Sequence, residues 1–326
     1  MGYKSTDALM RHLRNSGISI NGSTQKRQLI NTGYFHGYKG YRFFRTSQNR
    51  LNFTTYEEVY ATIQFDSQLK ALFYGKVMFI ETAVKNIALD CILNKANSEN
   101  LQDIFDRVVS SYKNSPTSAG QEEKKKAQKN KLSLQSMVQT YLVKAYANGN
   151  PKITHFYNNM SYSDVPIWAL VEIMTLGDFG FFLSCLTLDA REAISRKIGI
   201  NLACDTYREL IYKYLYTLKD LRNAIAHNAV VFDTRFRKID PTKSMTQTLK
   251  QEVGLSYVNF KTIGDYLILT CYFLKLLKVP KNEIKAFIRD FERITDTYKG
   301  AVSPSVSAQV IHPDLQNRLI VLKKFL

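Results

Sequence analysis

Apolar residues recur at intervals of three and four along most of the chain, which is the spacing of one face of an α-helix. The clearest apolar stripe consists of Leu210, Tyr214, Leu218, Leu221 and Ile225. Comparable patterns predict helices near residues 5–15, 55–73, 75–96, 100–113, 122–147, 166–176, 178–198, 206–227, 259–278, 281–298 and 314–326. With only seven prolines in 326 residues, the pattern predicts an all-α protein.

Local signals refine some of the predicted boundaries. Thr206 is followed three residues later by Glu209, which is the pattern of a capping box and predicts a helix beginning at Thr206. Pro166 suits a first helical turn and Gly177 a helix end, so the helix around Trp168 is expected to be short. Residues 300–305, rich in small and turn-forming residues, are expected to form a linker.

The end of the helix predicted over 206–227 carries the most reactive side chains. Arg222 is a phosphate-binding cation and His227 an imidazole that can move protons near neutral pH, a combination able to cleave RNA without a metal. Asp220, Asn223 and His227 share one helical face, so Asn223 is expected to brace the His227 ring with Asp220 in support.

Arg222 and His227 are too far apart on one helix to close easily on a single phosphate. Five residues correspond to about 140° of rotation and about 7.5 Å of rise. Two copies of the helix across a two-fold axis could line a shared cleft, which predicts a homodimer. The alternative is structural: His227 favours a helix C-terminus through the macrodipole and Asn228 is a stop signal.

The charge of the chain favours a nucleic-acid partner. Lysine and arginine number 45 against 28 aspartates and glutamates, a formal charge of +17, which attracts polyanions and makes their binding salt-dependent. The densest basic run includes three consecutive lysines predicted to contact RNA, Lys124, Lys125 and Lys126, although a solvated helix face accounts for such a run as well. Arg42 and Arg45 stand among aromatic residues that could stack unpaired bases, or that belong to the core and its turns.

Two carboxylates lie in apolar surroundings. Glu172 is flanked by apolar residues of the short Trp168 helix, and Glu81 follows Phe79 and Ile80. An unpaired buried carboxylate is costly, so Glu172 is expected to find a partner such as Arg222 or another buried cation. Both carboxylates are expected to support the helix that carries the reactive residues, with Trp168 as a core anchor.

Several classes of function are disfavoured. The four cysteines are scattered singly, which argues against a disulfide framework and against a zinc site and fits a cytoplasmic protein. The histidines form no metal-ligand pattern, and neither a dinucleotide-binding glycine motif nor a P-loop is present. No cofactor or metal is expected. The first residues lack an apolar signal core and no run is long enough to span a bilayer, so no membrane association is expected.

Four blocks together carry a family resemblance. Residues 221–228 resemble the R-x4-6-H signature of the HEPN superfamily. Residues 165–177, with Pro-Ile-Trp, a glutamate and a glycine, resemble a hallmark of the bacterial Abi_2 family of AbiD/AbiF-type abortive-infection proteins. Residues 33–38 and 65–81 match that family's Tyr/Gly-rich and Phe-Asp segments, although Tyr34-Phe35-His36 stands where the family usually has two tyrosines and a basic residue.

The resemblance implies a HEPN-like helical bundle with additional helices at each end. Its expected segments are an N-terminal family segment at 1–50, a helical core at 51–235, a C-terminal helical extension at 236–299, and a linker with terminal helix at 300–326. It also implies an antiphage toxin that acts as a dimeric endoribonuclease, with a structured small noncoding RNA as a plausible antitoxin. A non-catalytic RNA-binding protein and a purely protein-binding regulator remain the alternatives.

Overall fold

The computed structural model describes residues 5–162 and 164–326, and within them regular structure is helical with no β-strand. The all-α prediction is confirmed, and the all-helical chain is consistent with a HEPN-like bundle. A π-helical segment covers Gly33–Lys39. The α-helices are α1 Thr6–Asn15, α2 Gly22–Thr32, α3 Tyr56–Ala96, α4 Leu101–Arg107, α5 Gln121–Ala147, α6 Pro151–Asn158, α7 Ile167–Ile173, α8 Leu176–Cys185, α9 Leu188–Ile198, α10 Leu210–Ala226, α11 Lys243–Val253, α12 Ile263–Leu276, α13 Lys281–Ala301, α14 Pro304–Val310 and α15 Leu315–Phe325.

The structure differs from the predicted helices at two positions: one predicted break is absent, and one predicted helix is divided. The helices expected on either side of residue 74 are one continuous helix, α3, which passes through Gly75 without interruption. The single helix expected over 178–198 is instead divided into α8 and α9. Its backbone is extended at Leu186, and the N–H of Thr187 donates to the carbonyl of Val108 at 2.8 Å. Pairing with the 108–110 segment therefore replaces the intrahelical bonds at this point.

The prediction of a capping box at Thr206 is wrong, because α10 begins at Leu210. The buried carboxylate of Asp205 accepts the N–H groups of Glu209 and Leu210 at 2.8 and 3.2 Å, and so caps the helix in place of Thr206. A reciprocal capping box is found instead at α3. There, the Glu58 N–H donates to Thr55 Oγ1 and the Thr55 N–H donates to Glu58 Oε2, both at 3.3 Å.

Short helices account for most of the elements that periodicity did not predict, namely α2, α6, α11 and α14. The expected linker at 300–305 is largely helical, since α13 continues to Ala301 and α14 begins at Pro304. Pro304 occupies the first turn of α14, where a missing N–H costs nothing. Helices α6 and α14, with eight and seven residues, offer too few turns to display a clear apolar stripe.

The chain divides into two compact units. One comprises the described residues up to Met78 together with Asp220–Leu326, and the other is Phe79–Lys219. Helices α3 and α10 each contribute residues to both units. The division of the sequence into segments at 50, 235 and 299 remains a prediction.

The first unit is built around α12, of which twelve residues are buried. Helix α13 packs aromatic rings against α3: Phe73 meets Phe287 edge-on at 5.5 Å, and Phe65 stacks on Tyr298 at 4.4 Å. A buried ion pair between Arg318 and Asp265 joins α15 to α12. The ring contacts form an aromatic core in this unit.

The second unit centres on α5, which contacts α6, α7 and α8. The Tyr141 hydroxyl on α5 donates to Asp178 at 2.5 Å, near the start of α8. A Cβ at Gly180 would lie 2.9 Å from a ring carbon of Tyr216, so glycine is what allows α8 and α10 to approach there. In the described part of the chain, no helix combines the length and apolar character needed to cross a membrane.

Candidate functional site

The reactive residues sit where α10 ends. Asn228 adopts the left-handed conformation, with φ of +51°. Its N–H donates to the carbonyl of Ile225 at 3.1 Å, and the Ala229 N–H donates to the carbonyl of Ala224 at 2.8 Å. This pair of bonds is a Schellman motif, which terminates a helix. Asn228 is therefore the helix stop, and His227 is the residue between it and the last helical turn.

His227 and Arg222 are differently exposed. The His227 side chain is exposed and, among the residues the structure describes, its ring has no hydrogen-bond partner. Arg222 is half-buried, and its Nη1 donates to Asn223 Oδ1 at 3.3 Å. The expected contact between Asn223 and the His227 ring is thus not formed. The amide oxygen of Asn223 accepts from the guanidinium instead.

Asp220 lies inward from this surface. Its side chain is buried, and Oδ2 accepts the N–H of Lys238 at 3.3 Å. Burial, followed by the nearby Asp220 charge, raises the pKa of Tyr266 above its usual value. Asp220 therefore ties α10 to the chain that follows it, and it makes no contact with the imidazole of His227.

Asp66 is the centre of a buried polar cluster that sequence reasoning missed. One carboxylate oxygen accepts the N–H groups of Val231 and Phe232, each at 2.7 Å. The other accepts the Tyr41 hydroxyl at 2.8 Å and pairs with Lys70 at 2.8 Å. Because Asp66 is fully buried, these four partners replace the water that a carboxylate requires. The signal available in the sequence was a carboxylate in an apolar stripe with a lysine four residues later.

Lys70 connects this cluster to the end of α10. Its Nζ donates to Asn228 Oδ1 at 2.8 Å, and Asn228 Nδ2 lies 3.3 Å from Nε2 of His36. His36 is exposed and belongs to the π-helical segment. The structure thus brings a second histidine to the residue next to His227, although 192 positions separate His36 from Asn228.

Hydrogen bonds join residues 233–235, after α10, to residues 40–45, after the π-helical segment. Arg235 donates to the carbonyls of Gly40 and Phe43, each at 2.7 Å, and pairs with Asp233. Asp233 also accepts the N–H of Arg45 at 2.6 Å. Tyr41, within residues 40–45, has its pKa raised first by burial and then by the Asp66 charge.

The residues predicted to contact RNA have different settings. Arg42 and Arg45 are both half-buried, and Arg45 has a left-handed backbone with φ of +65°. Lys125 and Lys126 on α5 are exposed and Lys124 is half-buried; Lys125 pairs with Glu122 at 3.0 Å. Beside these lysines is a groove of about 630 Å³ lined by Tyr112, Lys113, Lys125, Gln128, Lys129, Leu132 and Ser133. RNA contact at all five predicted residues remains a prediction.

The two carboxylates expected to support the site belong to the second unit. Glu81 is buried and pairs with Lys85 at 3.1 Å, and Lys85 also donates to the carbonyl of Met174 at 2.7 Å. Glu172 is not buried as expected: its side chain is 61% exposed and pairs with Lys152 at 2.6 Å. This surface pair holds the pKa of Glu172 below its usual value.

The prediction that Trp168 is a core anchor is also wrong, because the residue is 43% exposed. Its indole Nε1 donates to Glu99 at 2.9 Å and its ring packs against Phe156. Trp168 and Glu172 are four residues apart and share one face of α7. The residues between them are Ala169, Leu170 and Val171, which fill the buried face, so the outward face is left to Trp168 and Glu172.

Across residues 5–162 and 164–326, no group of three or more histidine, cysteine, aspartate or glutamate side chains is placed to hold a metal ion.

The family described as Abi-like protein (Abi_2) matches residues 27–233, more than half of the chain. The chain belongs to this family. The matched range contains His36, Asp66 and Lys70 as well as Arg222 and His227. Membership in the Abi-like family indicates a function in abortive infection.

No curated protein matches the chain. No solved structure matches it either.

Proposed function

We propose that the protein is a metal-independent endoribonuclease of the AbiD/AbiF type, acting in abortive infection as a homodimer of HEPN-like subunits. The observation that carries the proposal is that a half-buried Arg222 and an exposed His227 both lie near the C-terminal end of α10. An arginine held partly in the protein is a preorganised phosphate ligand, and an exposed imidazole is accessible to a substrate.

The reaction follows from these two groups. The ribose 2'-oxygen attacks the adjacent phosphorus while His227 acts as general base on the 2'-hydroxyl or as general acid on the leaving 5'-oxygen. The bond from phosphorus to the 5'-oxygen breaks, which leaves a 2',3'-cyclic phosphate and a 5'-hydroxyl. Arg222 stabilises the negative charge that gathers on the phosphate. DNA lacks the 2'-hydroxyl and is not cleaved.

A dimer supplies what one helix end lacks. A single imidazole cannot act at once on the entering and leaving oxygens, which lie on opposite sides of the phosphorus in an in-line displacement. Two copies related by a two-fold axis bring two His227 rings and two Arg222 guanidinium groups to a shared cleft. Light scattering of the purified chain measures the oligomeric state, and a monomer that retains full activity contradicts the shared cleft.

The charge of +17 suits a polyanionic partner in addition to the substrate. We propose that a structured small noncoding RNA binds the basic surface and restrains the nuclease as an antitoxin. Lys124, Lys125 and Lys126 on α5, with Arg42 and Arg45 in the first unit, are the proposed contacts. Sequencing of RNA that copurifies with the protein tests this, and a heterogeneous mixture without an enriched species contradicts it.

The competing function is RNA binding without cleavage. The Schellman motif favours it, because Asn228 and its neighbours already have a structural reason to be present as a helix stop. In that case Arg222 and His227 contact RNA or stabilise the helix end, and no bond is broken.

One experiment separates the two functions. Wild-type and His227→Ala proteins are incubated in EDTA with labelled single-stranded RNA and with DNA of the same sequence. Cleavage of RNA by the wild type alone, with 2',3'-cyclic phosphate ends, supports the nuclease. Intact RNA with salt-dependent binding by both proteins supports the competing function, and loss of cleavage in EDTA contradicts metal independence.

A further inference from the structure

The Asn228 amide has its orientation set by Lys70. A lysine ammonium group donates hydrogen bonds and accepts none. The Asn228 atom that lies 2.8 Å from Lys70 Nζ is therefore the carbonyl oxygen, so the NH2 group faces His36 Nε2 at 3.3 Å. Lys70 is itself only 11% exposed and is held by the fully buried Asp66. A buried ion pair thus determines which end of a surface amide meets the histidine.

The tautomer of His36 follows from this orientation. An amide NH2 only donates, so His36 Nε2 accepts and the ring proton resides on Nδ1. A ring protonated at both nitrogens would set two donors against each other. His36 is exposed, and within the described chain Nδ1 has no hydrogen-bond partner. With this tautomer the fold presents an Nδ1–H donor at the surface, beside the residue that follows His227.

We propose that His36 binds RNA in the same site as Arg222 and His227, by donating its Nδ1–H to a non-bridging phosphate oxygen. Phosphate oxygens are the acceptors that RNA displays at every nucleotide. Asp66, Lys70 and Asn228 act through His36 as positioning residues. His36 transfers no proton in the reaction. The cleavage part of this inference rests on the proposed nuclease, whereas the tautomer and the phosphate contact do not.

Nitrogen NMR of the full chain tests the tautomer directly, because the two imidazole nitrogens differ in shift when only one carries a proton. The wild type is expected to show His36 protonated at Nδ1, with the signal assigned by its loss in His36→Gln. Asn228→Asp has nearly the same shape and tolerates the left-handed backbone. Its carboxylate still accepts from Lys70 but also accepts from His36, so the proton is expected at Nε2. An Nε2 proton in the wild type, or no change in Asn228→Asp, overturns the assignment of the tautomer.

Cleavage kinetics test the phosphate contact. His36→Gln retains an acceptor for Asn228 and an N–H donor, and is expected to keep kcat/KM within about threefold of the wild type. His36→Phe lacks both groups and is expected to lose roughly 10- to 100-fold, the effect of one hydrogen bond to a charged group. Equal losses in both variants overturn the donor role, because glutamine cannot replace a histidine that transfers protons.

His12→Gln is the matched control. His12 is another histidine of the same unit, whose ring packs edge-on against Tyr34 at 5.9 Å, and its substitution is expected to leave kcat/KM unchanged. If the wild type does not cleave RNA, the nuclease proposal fails while the phosphate contact is still measured. In that event, the dissociation constant for the same RNA is expected to rise roughly 10- to 100-fold in His36→Phe and by no more than about threefold in His36→Gln. Unchanged binding in His36→Phe overturns the contact.

Discussion

Arg235 binds Asp233 through Nε, whose one hydrogen is shared between both carboxylate oxygens at 2.9 and 2.8 Å, and through Nη2 at 2.5 Å, although the two residues are only two positions apart in the chain. Asp233 is fully buried. The rest of the guanidinium holds the carbonyls of Gly40 and Phe43, and the group lies 4.4 Å over the Phe43 ring. One side chain thus joins the segment after α10 to the segment after the π-helical residues.

Arg235→Met is expected to lower the free energy of unfolding by about 3 to 5 kcal/mol, because it leaves a buried carboxylate without its cation. Denaturant titration followed by circular dichroism measures the change. Arg293→Met removes an exposed pair with Asp290 on α13 and is the control, expected to cost about 0.5 kcal/mol or less. Similar losses in the two variants would show that the Arg235 cluster is no more than a surface pair.

Glu58 makes stability depend on acid pH. Burial alone raises its pKa, but hydrogen bonds from Thr54, Ser303 and Thr55 outweigh burial and lower the pKa from 4.5 to about 2. A carboxylate with a lowered folded-state pKa contributes stability above its unfolded pKa and loses it as pH falls toward the folded value. The free energy of unfolding is therefore expected to fall between about pH 4.5 and pH 2.

Glu58→Gln is expected to flatten this part of the pH profile and to lower stability at pH 7 by about 1 kcal/mol through loss of the α3 cap. Glu57→Gln changes the same charge one position earlier, on an exposed residue, and provides the control. A profile for Glu58→Gln that is parallel to the wild type from pH 5 to pH 2 would refute the assignment.

Substitution of Asn223 is expected to reduce RNA cleavage less than substitution of Arg222. Its amide oxygen accepts a long hydrogen bond of 3.3 Å from the guanidinium. This bond helps to orient Arg222, whereas the positive charge is supplied by Arg222 itself. In single-turnover RNA cleavage, Asn223→Ala is expected to lose roughly 3- to 10-fold, and Arg222→Ala roughly 100- to 1,000-fold. A loss in Asn223→Ala as large as that in His227→Ala would instead support the brace on the imidazole.

The groove beside α5 is expected to contribute salt-dependent RNA affinity. Lys113 and Lys129 line it and are exposed. If each neutralises one phosphate, the double variant Lys113→Gln/Lys129→Gln lowers the magnitude of the slope of log K against log salt by roughly 1.4 to 1.8. Filter binding at several salt concentrations measures the slope. Lys243→Gln/Lys281→Gln removes the same charge from exposed positions elsewhere, and an equal effect of this pair would mean that the groove has no special role.

Glu81 and Glu172 are expected to differ in their effect on stability. Glu81→Gln breaks a buried pair with Lys85 and is expected to cost about 3 kcal/mol. Glu172→Gln breaks an exposed pair with Lys152 and is expected to cost less than about 1 kcal/mol. Thermal and denaturant unfolding of the two variants measure the difference. A large loss in Glu172→Gln would restore the structural role expected from its apolar neighbours.

Periodicity was sufficient for the helical class and for most long helices, because an apolar stripe that persists over several turns at this spacing is seldom compatible with a strand or a loop. It did not separate α8 from α9, since the break is made by hydrogen bonds to residues 108–110, which are far away in the chain. Trp168 and Glu172 were misjudged for a related reason. Composition showed that α7 is apolar, but only packing shows which of its faces is buried.

The candidate site was predicted in part. Arg222 and His227 were identified because their chemistry is visible within six residues. Asp66 and Lys70 were assigned no role, and His36 none beyond its place in the family segment at 33–38, because what joins these residues to Asn228 is a chain of tertiary hydrogen bonds. Arg235 was missed likewise, since its partners lie near residues 40–43. Contacts between residues that are more than 150 positions apart have no local signature.

The discontinuous composition of the first unit has a consequence during translation. Its early part emerges from the ribosome complete to Met78, yet the next 141 residues, Phe79–Lys219, belong to the other unit. At about 5 to 20 residues per second, those residues take roughly 7 to 30 s to synthesise. The hydrogen bond between Asp66 and the Val231 N–H cannot form before that time has passed, and neither can the contact between His36 and Asn228. The hydrogen bonds that join Asp66 and His36 to the end of α10 therefore cannot form on a nascent chain until residues 228–232 have been made, so the proposed RNA site is assembled only late in synthesis.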